Sequence, residues 1–178
     1  MPIKKRPAPR PETADDGQVR GRFSRTRLWL VDMDDTIFNA SAGMLEAIHR
    51  RMEAFIAQRL GISIEEAQRV QKDYWRQYGA TFVGLERHHG INPQEFFDAA
   101  HDFDLVPYLK TPTGKGRLRA VLKAMPGKKV VLTNGPGKYA HEVLRLLRLE
   151  GVFEDVVSAN DMRLCGLWPG PSAAAVWA

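Results

Sequence analysis

The sequence predicts a parallel α/β fold with a helical insert after its first strand. Three short apolar runs, at 28–31, 129–133 and 155–158, have the length and composition of strands in a buried parallel sheet. Roughly seventy residues of helical periodicity separate the first run from the second, whereas one amphipathic helix over 139–149 separates the second from the third. Strands that alternate with helices in this order imply right-handed parallel crossovers.

The first strand is Leu28-Trp29-Leu30-Val31, and its lack of polar residues predicts burial on both faces. The insert that follows contains helix signals at both ends of its segments. Ser41 is expected to cap a helix that ends at Gly61. Ser63 and Glu66 have the spacing of a capping box for a second helix, which ends at Gly79.

The composition is that of a globular protein with one substantial core. Of the 178 residues, 44% are hydrophobic and 26% are charged. No apolar run approaches the ~20 residues that a membrane span needs, so no membrane association is expected. The single cysteine, Cys165, excludes an internal disulfide framework, and the cytoplasm is the expected location.

The positive net charge of +5 comes from the amino-terminal segment alone. Residues 1–27 contain eight basic and three acidic side chains, while residues 28–178 contain 18 of each. Residues 1–27 are therefore predicted to be a disordered basic tail. Such a tail is either a plain solvated leader or a contact for nucleic acid or an acidic surface. The balanced charge of the remainder gives no reason to expect nucleic-acid binding.

Two carboxylates at the end of the first strand are the main candidates for chemistry. Asp32 and Asp34 lie one residue apart, where open α/β sheets bind ligands. Their mutual repulsion favours a bound divalent cation, and Mg²⁺ held by oxygen ligands usually accompanies substrate phosphates. The alternatives are a solvated acidic turn or a calcium loop, although Ile37 stands where a calcium loop requires glycine.

A second group of polar residues follows the second strand. Thr133 and Asn134 precede Gly135 at the predicted carboxyl end of that strand. A hydroxyl and nearby backbone N–H groups are suitable donors for the oxygens of a phosphoryl group. Thr-Asn-Gly is also ordinary turn chemistry, so its meaning depends on its pairing with Asp32 and Asp34.

Together, Asp32-x-Asp34-x-Thr36 and the later Thr133 resemble the first two motifs of the haloacid dehalogenase-like hydrolases. The resemblance implies a Rossmann-like core formed by 28–37 and 111–178, with a small α-helical cap at 38–110. It implies Mg²⁺-dependent hydrolysis of phosphate monoesters, with Asp32 as nucleophile and Asp34 as general acid and base. It also implies that both aspartates hold the metal and that Thr133 and Asn134 bind the phosphate.

Two further segments resemble one branch of this family. The stretches 74–85 and 132–140 are similar to those of the pyrimidine 5′-nucleotidase branch, which implies nucleoside 5′-monophosphates such as UMP or CMP as substrates. Tyr74 and Tyr78, within the first stretch, are alternatively core residues at helical spacing. His88 and His89 are interpreted as an exposed helix end, and His101 as an isolated surface or packing residue.

The sequence departs from this family in its last residues. Gly170 stands where the family has a lysine, and Ala178 comes before any acidic pair on a fourth strand. The last core strands are therefore predicted to be missing, which would leave Leu28–Val31 as an unprotected edge. The alternative function is that of a truncated, impaired remnant, which binds a phosphate or a partner or has no activity.

Overall fold

The computed structural model describes residues 21, 23–109 and 115–164, and this part of the chain is mixed α/β. Its three strands are β1 (Leu28–Val31), β2 (Lys128–Leu132) and β3 (Asp155–Val157), which form a parallel sheet in the order β1-β2-β3. Val31 pairs with Val131, and Leu132 pairs with Val157. The three carboxyl ends therefore meet at one edge of the sheet.

Seven helices complete the described part. Four helices form the insert after β1, namely α1 (Met44–Leu60), α2 (Ile64–Tyr78), α3 (Thr81–His89) and α4 (Pro93–His101). Helix α5 (Lys115–Ala124) precedes β2, α6 (Gly137–Leu146) follows β2, and α7 (Ala159–Leu164) follows β3. The predicted order of strands and helices is confirmed. None of these helices has the length and apolar character needed to cross a membrane.

One side of the sheet supports the main core. Val31, Val131 and Val156 point to this side and pack with Leu122 of α5 and Val143 of α6. The prediction that β1 is buried on both faces is wrong, because Leu28 and Leu30 are exposed. The physical reason is that α5 and α6 cover the same side of the sheet. Within the described residues β1 is an edge strand, and the prediction that the last core strands are missing concerns residues outside the described ranges.

A second apolar cluster fills the space between helices α1 to α4. Its fully buried members include Ile56, Leu85 and Phe96. The predicted ends at Gly61 and Gly79 are confirmed, as is the capping box, in which the Glu66 N–H donates to Ser63 Oγ and the Ser63 N–H donates to the Glu66 carboxylate.

The predicted cap at Ser41 is wrong, and α1 begins only at Met44. The reason is that Ser41 is held by another residue. Its backbone N–H and its hydroxyl both donate to the carboxylate of Asp35, at 2.7 and 2.5 Å. Asp35 therefore closes the turn after β1 instead of facing a ligand, and these hydrogen bonds hold its pKa below the usual value.

Helices α2 and α3 approach each other at Gly84. A Cβ atom at this position would lie 2.2 Å from the Tyr74 ring. Gly84→Ala is therefore expected to destabilise the protein by about 1–3 kcal/mol, because the ring must move out of its packed position. Gly116→Ala is the matched control, since a Cβ there meets nothing within 4 Å, and it should be neutral or stabilising by up to ~1 kcal/mol. Urea unfolding of both variants makes the comparison, and equal effects would contradict the close approach.

Several predictions fall partly or wholly outside the described residues. Cys165, Gly170 and the chain end at Ala178 lie outside them, as do residues 1–20 of the predicted tail. The last part of that tail adjoins the sheet, where the Phe23 and Trp29 rings lie 5.3 Å apart. The predicted division into 28–37 with 111–178 and 38–110 stays a prediction.

Candidate active site

The turn after β1 places Asp32 and Asp34. It is closed by the backbone N–H groups of Thr36 and Ile37, which both donate to the Met33 carbonyl, at 3.3 and 2.9 Å. The Thr36 hydroxyl donates to Oδ2 of Asp32 at 3.1 Å, which fixes the orientation of that carboxylate. Both aspartates are half-buried, at the edge where the carboxyl ends of the strands meet.

Asp34 has a buried partner, Tyr139, that no sequence motif indicated. The hydroxyl of Tyr139 donates to Oδ1 of Asp34 at 2.7 Å and lies 3.0 Å from the Met44 sulfur. Tyr139 is in the first turn of α6 and is 3% exposed. Its sequence signal was only its position, two residues after the glycine turn that ends β2. The contact joins the turn after β1 directly to the helix after β2.

Burial dominates the electrostatics of Asp34. Removal from water raises the pKa of Asp34 to about 6, and the charges of Asp32 and Asp35 add to this increase. The hydrogen bond from Tyr139 acts in the opposite direction, because it stabilises the carboxylate. Burial beside that carboxylate also raises the pKa of Tyr139, so the tyrosine remains a donor. Asp34 therefore has both protonation states available near pH 6.

Thr133 and Asn134 take different positions after β2. Thr133 is 2% exposed, and its Oγ1 accepts the Gly135 N–H at 3.0 Å while its own N–H donates to the Val157 carbonyl. Asn134 is exposed. The Thr133 hydroxyl therefore stabilises the turn, whereas the exposed Asn134 side chain is accessible to a ligand.

Asn160 connects this turn to the helices of the insert. Its Oδ1 accepts the Gly137 N–H at 3.2 Å, and its Nδ2 donates to Oε1 of Gln94 at 3.1 Å. Gln94 is in the first turn of α4 and Asn160 is in α7. The position of α4 is therefore coupled, through Gln94 and Asn160, to the end of the turn that contains Asn134.

A cavity of about 490 Å³ lies between the ends of the strands and the inserted helices. Asp34, Asn134 and Gly135 form its sheet side, and Trp75, Phe82 and Phe96 are among its aromatic lining. Asp32 and Thr133 are not among the lining residues. The volume and the mixture of apolar walls with a few polar groups are typical of small-molecule sites.

His101 is a second residue whose place the sequence did not indicate. It lines the same cavity, its Nδ1 lies 3.0 Å from the Phe97 carbonyl, and its ring lies 5.1 Å from that of Tyr139. Burial lowers the pKa of His101 to about 4. The interpretation as a packing residue is compatible with these contacts, but His101 also forms part of the cavity wall.

His88 and His89 lie in the last turn of α3. His88 and His89 are exposed, as predicted, and each Nε2 is hydrogen-bonded to a tyrosine hydroxyl, that of Tyr78 at 2.5 Å and that of Tyr74 at 2.7 Å. Both tyrosines are half-buried between α2 and α3. These four side chains form a packing cluster and not part of the cavity.

The residues present have the donor type that Mg²⁺ prefers. Within the described ranges, no group of three His, Cys, Asp or Glu side chains is placed to hold a metal ion. Magnesium sites commonly use one or two carboxylates together with waters and substrate phosphate oxygens, so a set of three is not required. The Asp32 carboxylate and the Asp34 backbone carbonyl would supply oxygen ligands to such an ion, and the neighbouring carboxylates of this turn favour a cation.

A scan of the sequence against models of protein families finds no match. The assignment to the haloacid dehalogenase-like hydrolases therefore stays a prediction from the motifs at Asp32 to Thr36 and at Thr133.

Proposed function

We propose that this protein is a Mg²⁺-dependent phosphate monoester hydrolase that acts through an aspartyl-phosphate intermediate. The observation that carries the proposal is the cavity under the inserted helices. It brings Asp34, from the turn after β1, together with Asn134 and Gly135, from the turn after β2. A carboxyl group and backbone or amide donors at one end of an aromatic-lined cavity suit a phosphate attached to an organic group.

Each aspartate has a proposed role in the reaction. Asp32, oriented by Thr36, attacks the phosphorus atom, and the bond to the leaving oxygen breaks. Asp34 gives its proton to that oxygen, and then takes a proton from the water that hydrolyses the aspartyl phosphate. A pKa of about 6 suits both tasks near neutral pH.

The remaining groups stabilise charge. Asn134 holds the phosphoryl oxygens, and Thr133 positions the backbone N–H groups beside it through its bond to Gly135. Mg²⁺, held by the Asp32 carboxylate and the Asp34 backbone carbonyl, would supply charge neutralisation when bound.

Nucleoside 5′-monophosphates are the proposed substrates. The cavity has an aromatic lining that includes Trp75, which is 48% exposed and therefore available for stacking on a base. Lys72 and Gln71 of the same helix add polar groups that could contact a base or ribose. The proposed preference for pyrimidines rests on the sequence resemblance alone.

The test is hydrolysis of UMP, CMP, AMP and glycerol phosphate, with Mg²⁺ and after chelation. We expect release of phosphate from the nucleotides, at least about 10²-fold reduced without Mg²⁺, because the charge on the phosphoryl group is then not neutralised. Glycerol phosphate, which lacks a base, is the control for stacking and should react more slowly. Nucleotide binding without turnover would favour the alternative, a remnant that binds phosphate, and absence of both would contradict the proposed site.

A further inference from the structure

The sheet has an open side as well as a covered one. Paired residues of parallel strands share a side, so Leu28 and Leu30 of β1 lie on the same side as Val130, Leu132 and Val157. None of these five belongs to the apolar core clusters. Leu28 is 51% exposed and Leu30 is 61% exposed.

The topology explains why this side is open. Successive strands are added in one direction, β1-β2-β3, and right-handed crossovers then place both connecting helices, α5 and α6, on the same side. On the opposite side, Leu28 and Leu30 of the edge strand are exposed, whereas Val130, Leu132 and Val157 are half-buried. The exposed leucines therefore result from the order of the strands and not from a local irregularity.

The β1 edge also lacks the usual protection against pairing. Edge strands are commonly protected by an inward charge, a proline or a bulge. Leu28-Trp29-Leu30-Val31 has none of these, and within the described residues β1 pairs only with β2. Its outer backbone groups can therefore accept a further strand.

Charge at the two ends of β1 favours a second copy of this chain, arranged antiparallel. Arg25 and Arg27 are exposed just before the strand, and Asp32 and Asp34 come just after it. In an antiparallel pair centred on Trp29, Asp32 of each copy lies opposite Thr26 of the other, between Arg25 and Arg27. A parallel pair would instead place like charges together. The charge pattern is thus self-complementary under a two-fold axis.

We propose that two copies of this chain associate through their β1 strands, which pair antiparallel to join the three described strands of each copy into one continuous sheet. Pairing centred on Trp29 places Leu28 of each copy opposite Leu30 of the other, on the open side. The leucines then cover one another while the β1 backbones form hydrogen bonds. This inference does not depend on the proposed hydrolase activity.

The test is the molar mass of the full chain in solution as a function of protein concentration, by light scattering. We expect a concentration-dependent monomer–dimer equilibrium. Leu30→Lys should raise the dissociation constant at least about tenfold, because it places a charge opposite Leu28 of the second copy. Val121→Lys is the matched control, since Val121 is 52% exposed on α5, which packs on the covered side of the sheet, and should leave the equilibrium unchanged.

A second variant distinguishes specific strand pairing from nonspecific hydrophobic association. Charge reversal at Arg25 and Arg27 to Glu should also weaken the dimer, and added salt should weaken the wild-type dimer, because screening reduces the end-to-end attraction. A monomer at all concentrations would overturn the proposal, as would a dimer insensitive to Leu30→Lys. Association into aggregates that is unchanged by charge reversal at Arg25 and Arg27 would overturn the two-fold arrangement.

Amide hydrogen exchange identifies any competing occupant of the edge. Protection at Leu28–Val31 that increases with protein concentration supports a second copy. Protection that is strong and independent of concentration would mean that another segment of the same chain covers the edge, and the proposal would fail.

Discussion

Replacing Asp32 by asparagine is expected to reduce phosphate release by about 10³-fold or more, because the amide is a far weaker nucleophile than the carboxylate. The fold should be retained, since asparagine is of equal size and can still accept the Thr36 hydroxyl. The measurement is release of inorganic phosphate from a nucleoside monophosphate, with circular dichroism to confirm folding.

Asp35→Asn is the matched control for this substitution. It removes the same charge from the same turn, and asparagine can still accept the Ser41 N–H. Activity should fall by less than about tenfold, because Asp35 closes the turn and has no proposed contact with substrate. Equal losses in the two variants would show that general charge at the turn is what matters, and full activity of Asp32→Asn would exclude Asp32 as nucleophile.

His101 is expected to make the protein less stable in acid. Its pKa is about 4 in the folded protein, below the usual 6.5. Between these values the unfolded chain binds a proton at this residue and the folded chain does not, so stability is present above pH 6.5 and is lost as the pH falls towards 4. The contribution lost is about 3 kcal/mol, from a difference of roughly 2.5 units at 1.36 kcal/mol each.

The variant that tests this is His101→Asn, whose amide can still donate to the Phe97 carbonyl. The free energy of unfolding of the wild type should exceed that of the variant by about 3 kcal/mol more at pH 7 than at pH 4. Asp34 has the opposite dependence between pH 4 and 6, because its folded pKa is raised, but it is common to both proteins and cancels in the difference. His141→Asn, at an exposed position, is the comparison. A difference independent of pH would contradict the burial of His101.

The fold was predictable wherever a local pattern determines structure. The apolar runs predicted the three strands, and Gly61, Ser63 and Gly79 correctly marked helix ends. The prediction of a helix cap at Ser41 was wrong because a serine near a helix start can hydrogen-bond to other groups as well. Here its hydroxyl donates to the Asp35 carboxylate. The exposure of Leu28 and Leu30 was missed because the residues of a strand do not show which sides will be covered.

The candidate site was predictable in its polar residues but not in their partners. Asp32, Asp34, Thr133 and Asn134 follow strands whose carboxyl ends meet, so topology places them at one edge of the sheet, where Asp34 and Asn134 line the same cavity. The roles of Tyr139 and His101 depend on contacts between residues distant in the chain, such as the bond from Tyr139 to Asp34. Amphipathic periodicity identifies such residues as buried but does not indicate what their polar atoms contact.

The pairing of β1 with β2 also has a consequence for the order of assembly. Trp29 lies beside Lys129, so the whole insert forms the loop that this pairing must close. Contacts of α2 with α1 and with α3 join neighbours in sequence and are expected to form quickly, whereas closure of the loop between β1 and β2 is entropically slow. Early formation of the four helices shortens the chain that remains to be ordered. We therefore expect the insert to form first and β1 to pair with β2 late in folding.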